Sequence, residues 1–249
     1  MLSYLLKILS VLCFVVLAVP ARAQWAAKAE LGFLQSGGNT EAASANTRFD
    51  VTHETRRWKN NFSVAAQYSE NAEFPTAERY EARHQADYKI TDRLSWFAAL
   101  RGEQDRFSGF AYQATASTGA SYQFVDTATT KFDVSLGAGG KRSKAETLIK
   151  TEAGEVLDRI EGDIEDDVVG TLGSNYEHSF TESTKVTNKL LAEFGGDNNA
   201  VQNDLALQVS MTQSLALAVG FGIRYNSDPP PLSESTDTLT TVNLVYNIK

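Results

Sequence analysis

Three histidines, His53, His84 and His178, are the side chains of this sequence best suited to nucleophilic or metal chemistry, and they stand far apart. A hydrolase acting on lipid esters needs a histidine placed to take a hydroxyl proton, and a third group to orient its ring. His178 is followed at once by Ser179, and neighbours along a strand point to opposite faces. His84 precedes Gln85 and Ala86, so no hydroxyl lies at its next same-face position. His53 has Thr55 two residues on, the best of the three arrangements and still a poor one. No pair of histidines has metal-ligand spacing, H-E-x-x-H is absent, and no glycine-rich phosphate loop opens a helix. The expectation is a non-enzymatic chain with no catalytic residues, no cofactor and no metal, its histidines placed at the edge of an apolar surface. A membrane lipid hydrolase is the lesser alternative.

The remaining reactive-looking groups are charges, and their spacing is regular. In "RYEARHQADYKI" one face carries Tyr80, Ala82, His84, Ala86, Tyr88 and Ile90, the other Glu81, Arg83, Gln85, Asp87 and Lys89. "AYQATASTGASYQF" and "SLALAVGFGIRY" alternate in the same way. Period-two alternation is the mark of a strand with two different solvents. It predicts twelve strands, at 25–35, 43–56, 60–70, 79–90, 94–105, 110–124, 130–140, 166–178, 184–194, 200–211, 214–226 and 238–248. Strands of soluble sheets are mostly about five or six residues long, whereas a tilted strand crossing a bilayer needs about 9–11.

Away from the strand ends, where Glu70 and Asp166 fall, the apolar faces of these strands carry no Lys, Arg, Asp or Glu; their polar exceptions include His53, His84, His178, Asn188 and Asn203. The polar faces carry Lys28, Glu30, Arg48, Asp50, Glu81, Arg83, Asp87, Lys89, Arg101, Glu103, Lys131, Asp133, Lys185, Lys189, Glu193, Asp204 and Arg224. In a closed barrel these seventeen side chains line the lumen. A soluble sandwich of such long strands would leave sheet edges exposed, whereas closure removes every edge and satisfies every backbone group. The expected fold is therefore all-β, a closed antiparallel transmembrane barrel of about twelve strands. The mixture of signs predicts charge pairs crossing a narrow or closed lumen rather than a selective ring. Small inward residues, among them Ala216, Ala218, Gly137 and Gly139, would leave room for water on one side.

Composition agrees with export. "MLSYLLKILSVLCFVVLAVPARA" reads as a secretory signal peptide over residues 1–23, cut before Gln24. Its apolar run is too short for a spanning helix. Removing it takes away Lys7 and Arg22, making the formal net charge of −8 two units more negative, and takes away Cys13, the one cysteine. No disulfide framework is then available, and an acidic chain of this kind has no nucleic acid as partner. The expected partners are outer-membrane lipid, lipopolysaccharide and, during biogenesis, the barrel-assembly machinery.

Loop lengths follow the same plan. With the N-terminus in the periplasm, the turns "RRWKN", "TDR", "VDTATT", "FTEST" and "TQS" fall inside, and all are short. Those outside include "NAEFPTAE", "SDPPPLSESTD" and the long stretch Lys141–Glu165. The segment Lys141–Asp167 holds nine acids, but they follow no fixed-spacing calcium loop. It reads as a solvated charged face, or as a hairpin in which "ETLIKT" and "VLDRIE" extend the barrel.

The first strand and its turn, "LGFLQSGGNTEAASANTRFD", with "TTKFDVSLGAGGKRSK" and "IRYNSDPPPLSESTDTLTTVNLVYNI", carry a family likeness. In this order they resemble a bacterial family of unknown function whose members are described as salt-induced outer membrane proteins (YdiY-like). The resemblance implies a membrane barrel with an envelope-stress association, and brings no catalytic residues with it. The expected role is structural or stress-related with at most a narrow lumen, and the alternative is a narrow passive channel for small solutes.

Overall fold

Alternating side chains commit the backbone to extended structure throughout, and a computed structural model shows how the strands close. It describes residues 24–36, 42–71, 74–151, 155–196, 198–229 and 234–248. The expected signal peptide and the centre of the SGGNT turn lie outside the described residues.

The described residues form β1 (Gln24–Ser36), β2 (Ala42–Glu54), β3 (Trp58–Asn71), β4 (Pro75–Lys89), β5 (Leu94–Asp105) and β6 (Phe110–Asp126). They continue as β7 (Thr130–Lys150), β8 (Val156–Ser179), β9 (Thr184–Phe194), β10 (Asn199–Ser210), β11 (Leu215–Asn226) and β12 (Thr236–Ile248). Each strand pairs antiparallel with its sequence neighbours, and β1 pairs with β12 from Ala27↔Ile248 to Gly32↔Asn243. The result is a closed barrel of twelve antiparallel strands.

All twelve expected strands are present, and the difference lies in β7 and β8. The stretch expected as a long connection is itself paired: Arg142 faces Asp166, Thr147 faces Ile160 and Ile149 faces Asp158. Threonine and the β-branched Ile149, Val156, Ile160 and Ile164 favour a ladder there despite the acids around them. Two register shifts, between Lys144 and Glu146 and between Ile149 and Lys150, bend this overhang, as bulges do. It leans on the β5–β6 turn, where Gly109 takes a φ of 81° that favours glycine and accepts the Glu146 N–H at 2.8 Å.

This overhang distinguishes the two ends of the barrel. At the end where β1 starts and β12 stops, the connections 55–57, 90–93, 127–129, 180–183 and 211–214 are all tight. The opposite, hairpin end carries the β7–β8 overhang and the connection 227–235. The asymmetry expected in loop length is therefore expressed mostly as strand length.

The outside of the barrel is apolar. Leu31, Phe62, Leu100, Leu136, Leu205, Val219 and Leu244 are exposed, and Val168 is 79% exposed. Polar groups on this face pair with one another: Asn188 and Asn203 exchange side-chain amide bonds of 3.0 and 3.2 Å. Trp96 Nε1 donates to Thr118 Oγ1 at 2.9 Å. Aromatic rings run along the terminal end through Tyr122, Phe124, Phe132, Tyr176, His178 and Phe180, with centroids 4.9–6.5 Å apart. Trp25 meets His53 at 4.3 Å in the same belt. At the hairpin end the apolar face of β7–β8 gives way to the Arg142–Asp166 and Lys144–Glu161 pairs. The guanidinium of Arg142 holds the Asp166 carboxyl below the usual carboxylate range.

Candidate functional site

Inward positions follow directly from the strand alternation, and their contacts between non-adjacent strands establish that they share one interior. Glu81 of β4 is the hub. Its carboxylate lies 2.9 Å from Arg79 Nη2, 2.6 Å from Arg83 Nε and 3.5 Å from Arg101 Nη2. Glu103 of β5 takes Arg79 Nε at 2.9 Å and also pairs with Arg101. Arg101 continues across the lumen towards Glu193 of β9 at 3.7 Å, and Glu193 also lies 3.3 Å from Lys141 Nζ of β7. Glu81 and Glu193 are both buried. Such charges persist away from water only when paired and hydrogen-bonded.

Two further contacts join distant walls. Arg83 Nη2 donates to Gln202 Oε1 of β10 at 2.6 Å. Arg48 of β2 approaches Asp204 of β10 at 3.7 Å. Gln202 is itself oriented by donating to Asp204 at 2.9 Å. Near β1, Lys28 lies 2.6 Å from Glu30 and 3.7 Å from Asp50, and Lys189 of β9 is within electrostatic reach of Asp50. These side chains form a layer of salt links and amides across the barrel.

Nearer the terminal end the charges pair along the wall. Lys89 binds Glu54, Lys185 lies 2.9 Å from Glu177, and Asp133 accepts from Asn175 at 2.8 Å. Asp87 accepts from Gln85 at 2.8 Å. Lys131 is within electrostatic reach of Glu54 and Glu177. Arg224 lies at the hairpin end of the lumen, opposite Asp237 in register. The structure thus brings Glu81, Arg83, Arg101, Glu103, Glu193, Arg48 and Asp204 into the crossing layer. It leaves Asp87, Lys89, Lys131, Asp133 and Lys185 on the wall.

Several partners were not among the expected residues. Arg79 is the first residue of the expected strand 79–90 and Lys141 the first residue beyond 130–140, although their parity matches Glu81 and Asp133. Gln202 is neutral, so a search for charge passes over it. Phe97 is the least expected: an aromatic on the inward face of β5, buried to 4% exposure. A Cβ on Gly137 would meet Phe97 Cζ at 2.8 Å and Thr171 Oγ1 at 2.9 Å. The glycine of "SLGAGG" therefore makes space for a ring. The room for water expected beside Ala216 and Ala218 is likewise filled, since both are buried in a cluster with Val245. Gly32 admits Asn46 and Asn243, whose amides bond at 2.9 Å where its Cβ would stand.

The histidines lie on the outer face. His178 Nδ1 shares a hydrogen bond of 2.8 Å with Thr130 Oγ1 of the neighbouring strand, and its ring neighbours are Tyr176 and Phe180. No carboxylate bonds to any of the three among the described residues.

A closed, even-numbered antiparallel barrel with a lipid-compatible belt, aromatic rings near its terminal end and an ionic interior defines a transmembrane β-barrel of the outer-membrane type. Within that class, the chain belongs to the family described as "Protein of unknown function, DUF481", whose model matches residues 29–248. It is 25% identical over 241 residues to the uncharacterized protein YdiY of Escherichia coli (strain K12), covering 94% of this chain and 88% of that one. Among solved structures it is similar to the NanC porin, at 12% identity and a TM-score of 0.47, covering 88% of this chain and 97% of that one. The KdgM porin gives 10% identity and a TM-score of 0.45, covering 90% and 99%. These likenesses are distant, and the architecture rests on the chain's own strand pairing.

Proposed function

We propose that this protein is a non-enzymatic outer-membrane barrel whose lumen is shut to solutes by the crossing layer of salt links, with a structural or envelope-stress role. The observation that carries this reading is the Arg83–Gln202 hydrogen bond, which joins opposite walls at 2.6 Å beside the buried Glu81 hub. The stress association comes from the family resemblance. In this reading both ends of the chain face the periplasm, the β7–β8 overhang stands outside the cell, and the belt contacts lipid and the lower part of lipopolysaccharide. Arg142 and Lys144 mark the level at which the outer face leaves hydrocarbon.

A second reading, a narrow passive channel, is favoured by one observation: the charges of Lys89, Lys185 and Asp133 stay along the wall near the terminal end. Osmotic swelling of proteoliposomes in arabinose separates the two. A closed barrel gives swelling no faster than protein-free vesicles, whereas solute-dependent swelling establishes the channel. Replacing His53, His84 and His178 together by alanine leaves envelope lipids unchanged in a non-enzymatic barrel. Altered lipid turnover would revive the hydrolase.

A further inference from the structure

At the hairpin end the lumen widens into a cavity of about 310 Å3. Its wall comes from β3–β5 and from β11–β12, and includes Gln67, Arg79, Asp105, Phe107, Arg224 and Asp237. A smaller cavity of about 40 Å3 reaches towards Arg101 and Glu103, and the two share Asp105, Ser108, Arg224 and Asp237. At about 30 Å3 per molecule, the larger space corresponds to roughly ten waters, and it lies at the lower end of the range of small-ligand sites.

The lining chemistry narrows what could bind. Two guanidiniums and two carboxylates balance in sign, so an anion meets Asp105 and Asp237 and a cation meets Arg79 and Arg224. Arg79 is already engaged by Glu81 and Glu103. One oxygen of Asp105 accepts the Phe107 N–H at 3.0 Å, leaving a second oxygen as an acceptor. Arg224 lines both cavities and stands opposite Asp237 in register. Acceptors and donors distributed around one cavity suit hydroxyl groups, which both give and take hydrogen bonds.

Phe107 supplies an apolar surface for C–H groups. Arg159, reaching back from the β7–β8 overhang, lies 5.8 Å from the centroid of its ring. Arg159 is in turn bonded to Glu146 at 3.1 Å and to the Arg106 carbonyl at 2.8 Å. The overhang thus fixes one wall of the cavity in place, which reduces the ordering cost of binding.

We propose that this vestibule binds a small neutral polyhydroxylated solute, a sugar of one or two rings. Saturation-transfer NMR on the full-length barrel in lauryldimethylamine oxide, a detergent without a sugar headgroup, tests it with sucrose as the probe. Glucuronate and glucosamine serve as charged comparators. Sucrose is expected to give saturation transfer from the native barrel, stronger than either charged sugar, and to lose at least threefold in Arg224→Ala and in Phe107→Ala. Both variants are compared only where they retain the heat-modifiable migration of a folded barrel, and Asp105→Asn replaces either that does not. Absence of transfer to sucrose, a signal kept within threefold in every folded variant, or a stronger response to a charged sugar would each overturn the proposal.

Discussion

Arg83 on β4 and Gln202 on β10 are bonded to each other at 2.6 Å, although their strands lie six places apart in a ring of twelve. No two strands of such a ring can be further separated. A single hydrogen bond therefore spans the interior, and the Glu81 hub behind it holds three guanidiniums in the same layer.

The hub makes a strong stability prediction. Glu81→Gln leaves Arg79, Arg83 and Arg101 facing one another with much of their compensating charge removed. Breaking a buried pair by deleting one partner costs about 3–5 kcal/mol. Urea unfolding from phospholipid vesicles should show a loss of that order. Asp166→Asn, which breaks an exposed pair on the overhang, should leave the midpoint unmoved.

The glycines separate by what they face. Gly137→Ala places a methyl 2.6 Å from the Thr118 carbonyl and 2.8 Å from Phe97, an overpacking expected to cost about 1–3 kcal/mol. Phe97→Ala in the same chain does not restore stability fully, because the backbone contact remains. Gly102→Ala meets nothing within 4 Å and should be neutral or slightly stabilising, as Ala loses less conformational freedom on folding. Equal losses at both positions in the same unfolding assay would contradict this account of the β5–β7 wall.

The belt can be tested by charge. Leu136 is exposed on the outer face of β7, between Phe132 and Gly140, and Leu136→Arg should cost about 2–4 kcal/mol in a bilayer. A cost near zero would mean that this face meets water.

These residues also mark what a reader of the sequence alone could see. The alternation in β4, β6 and β11 assigns faces without ambiguity, because each strand must satisfy two solvents at once. That was enough for the strand number and for the closed antiparallel architecture. Lys141 escaped because strand ends are set by pairing with neighbours, which a one-dimensional pattern does not contain; Arg79 stood first in its expected strand and was passed over. Gln202 escaped because its role depends on Arg83 arriving from the far wall. Phe97 contradicted its face, and only the glycine opposite, two strands away at Gly137, explains how an aromatic ring fits inside. The overhang was half legible: its acids suggest a solvated loop, while "ETLIKT" and "VLDRIE" allowed the hairpin that threonines and branched aliphatics hold in place.

The central claim is that the layer through Arg83 and Gln202 shuts the barrel, and single-channel recording in planar lipid bilayers tests it most directly. The native protein is predicted to give a quiet baseline, and the folded Arg83→Ala/Gln202→Ala double variant discrete, reproducible openings. Regular openings of the native protein, of the same size as those of the variant, would contradict the claim.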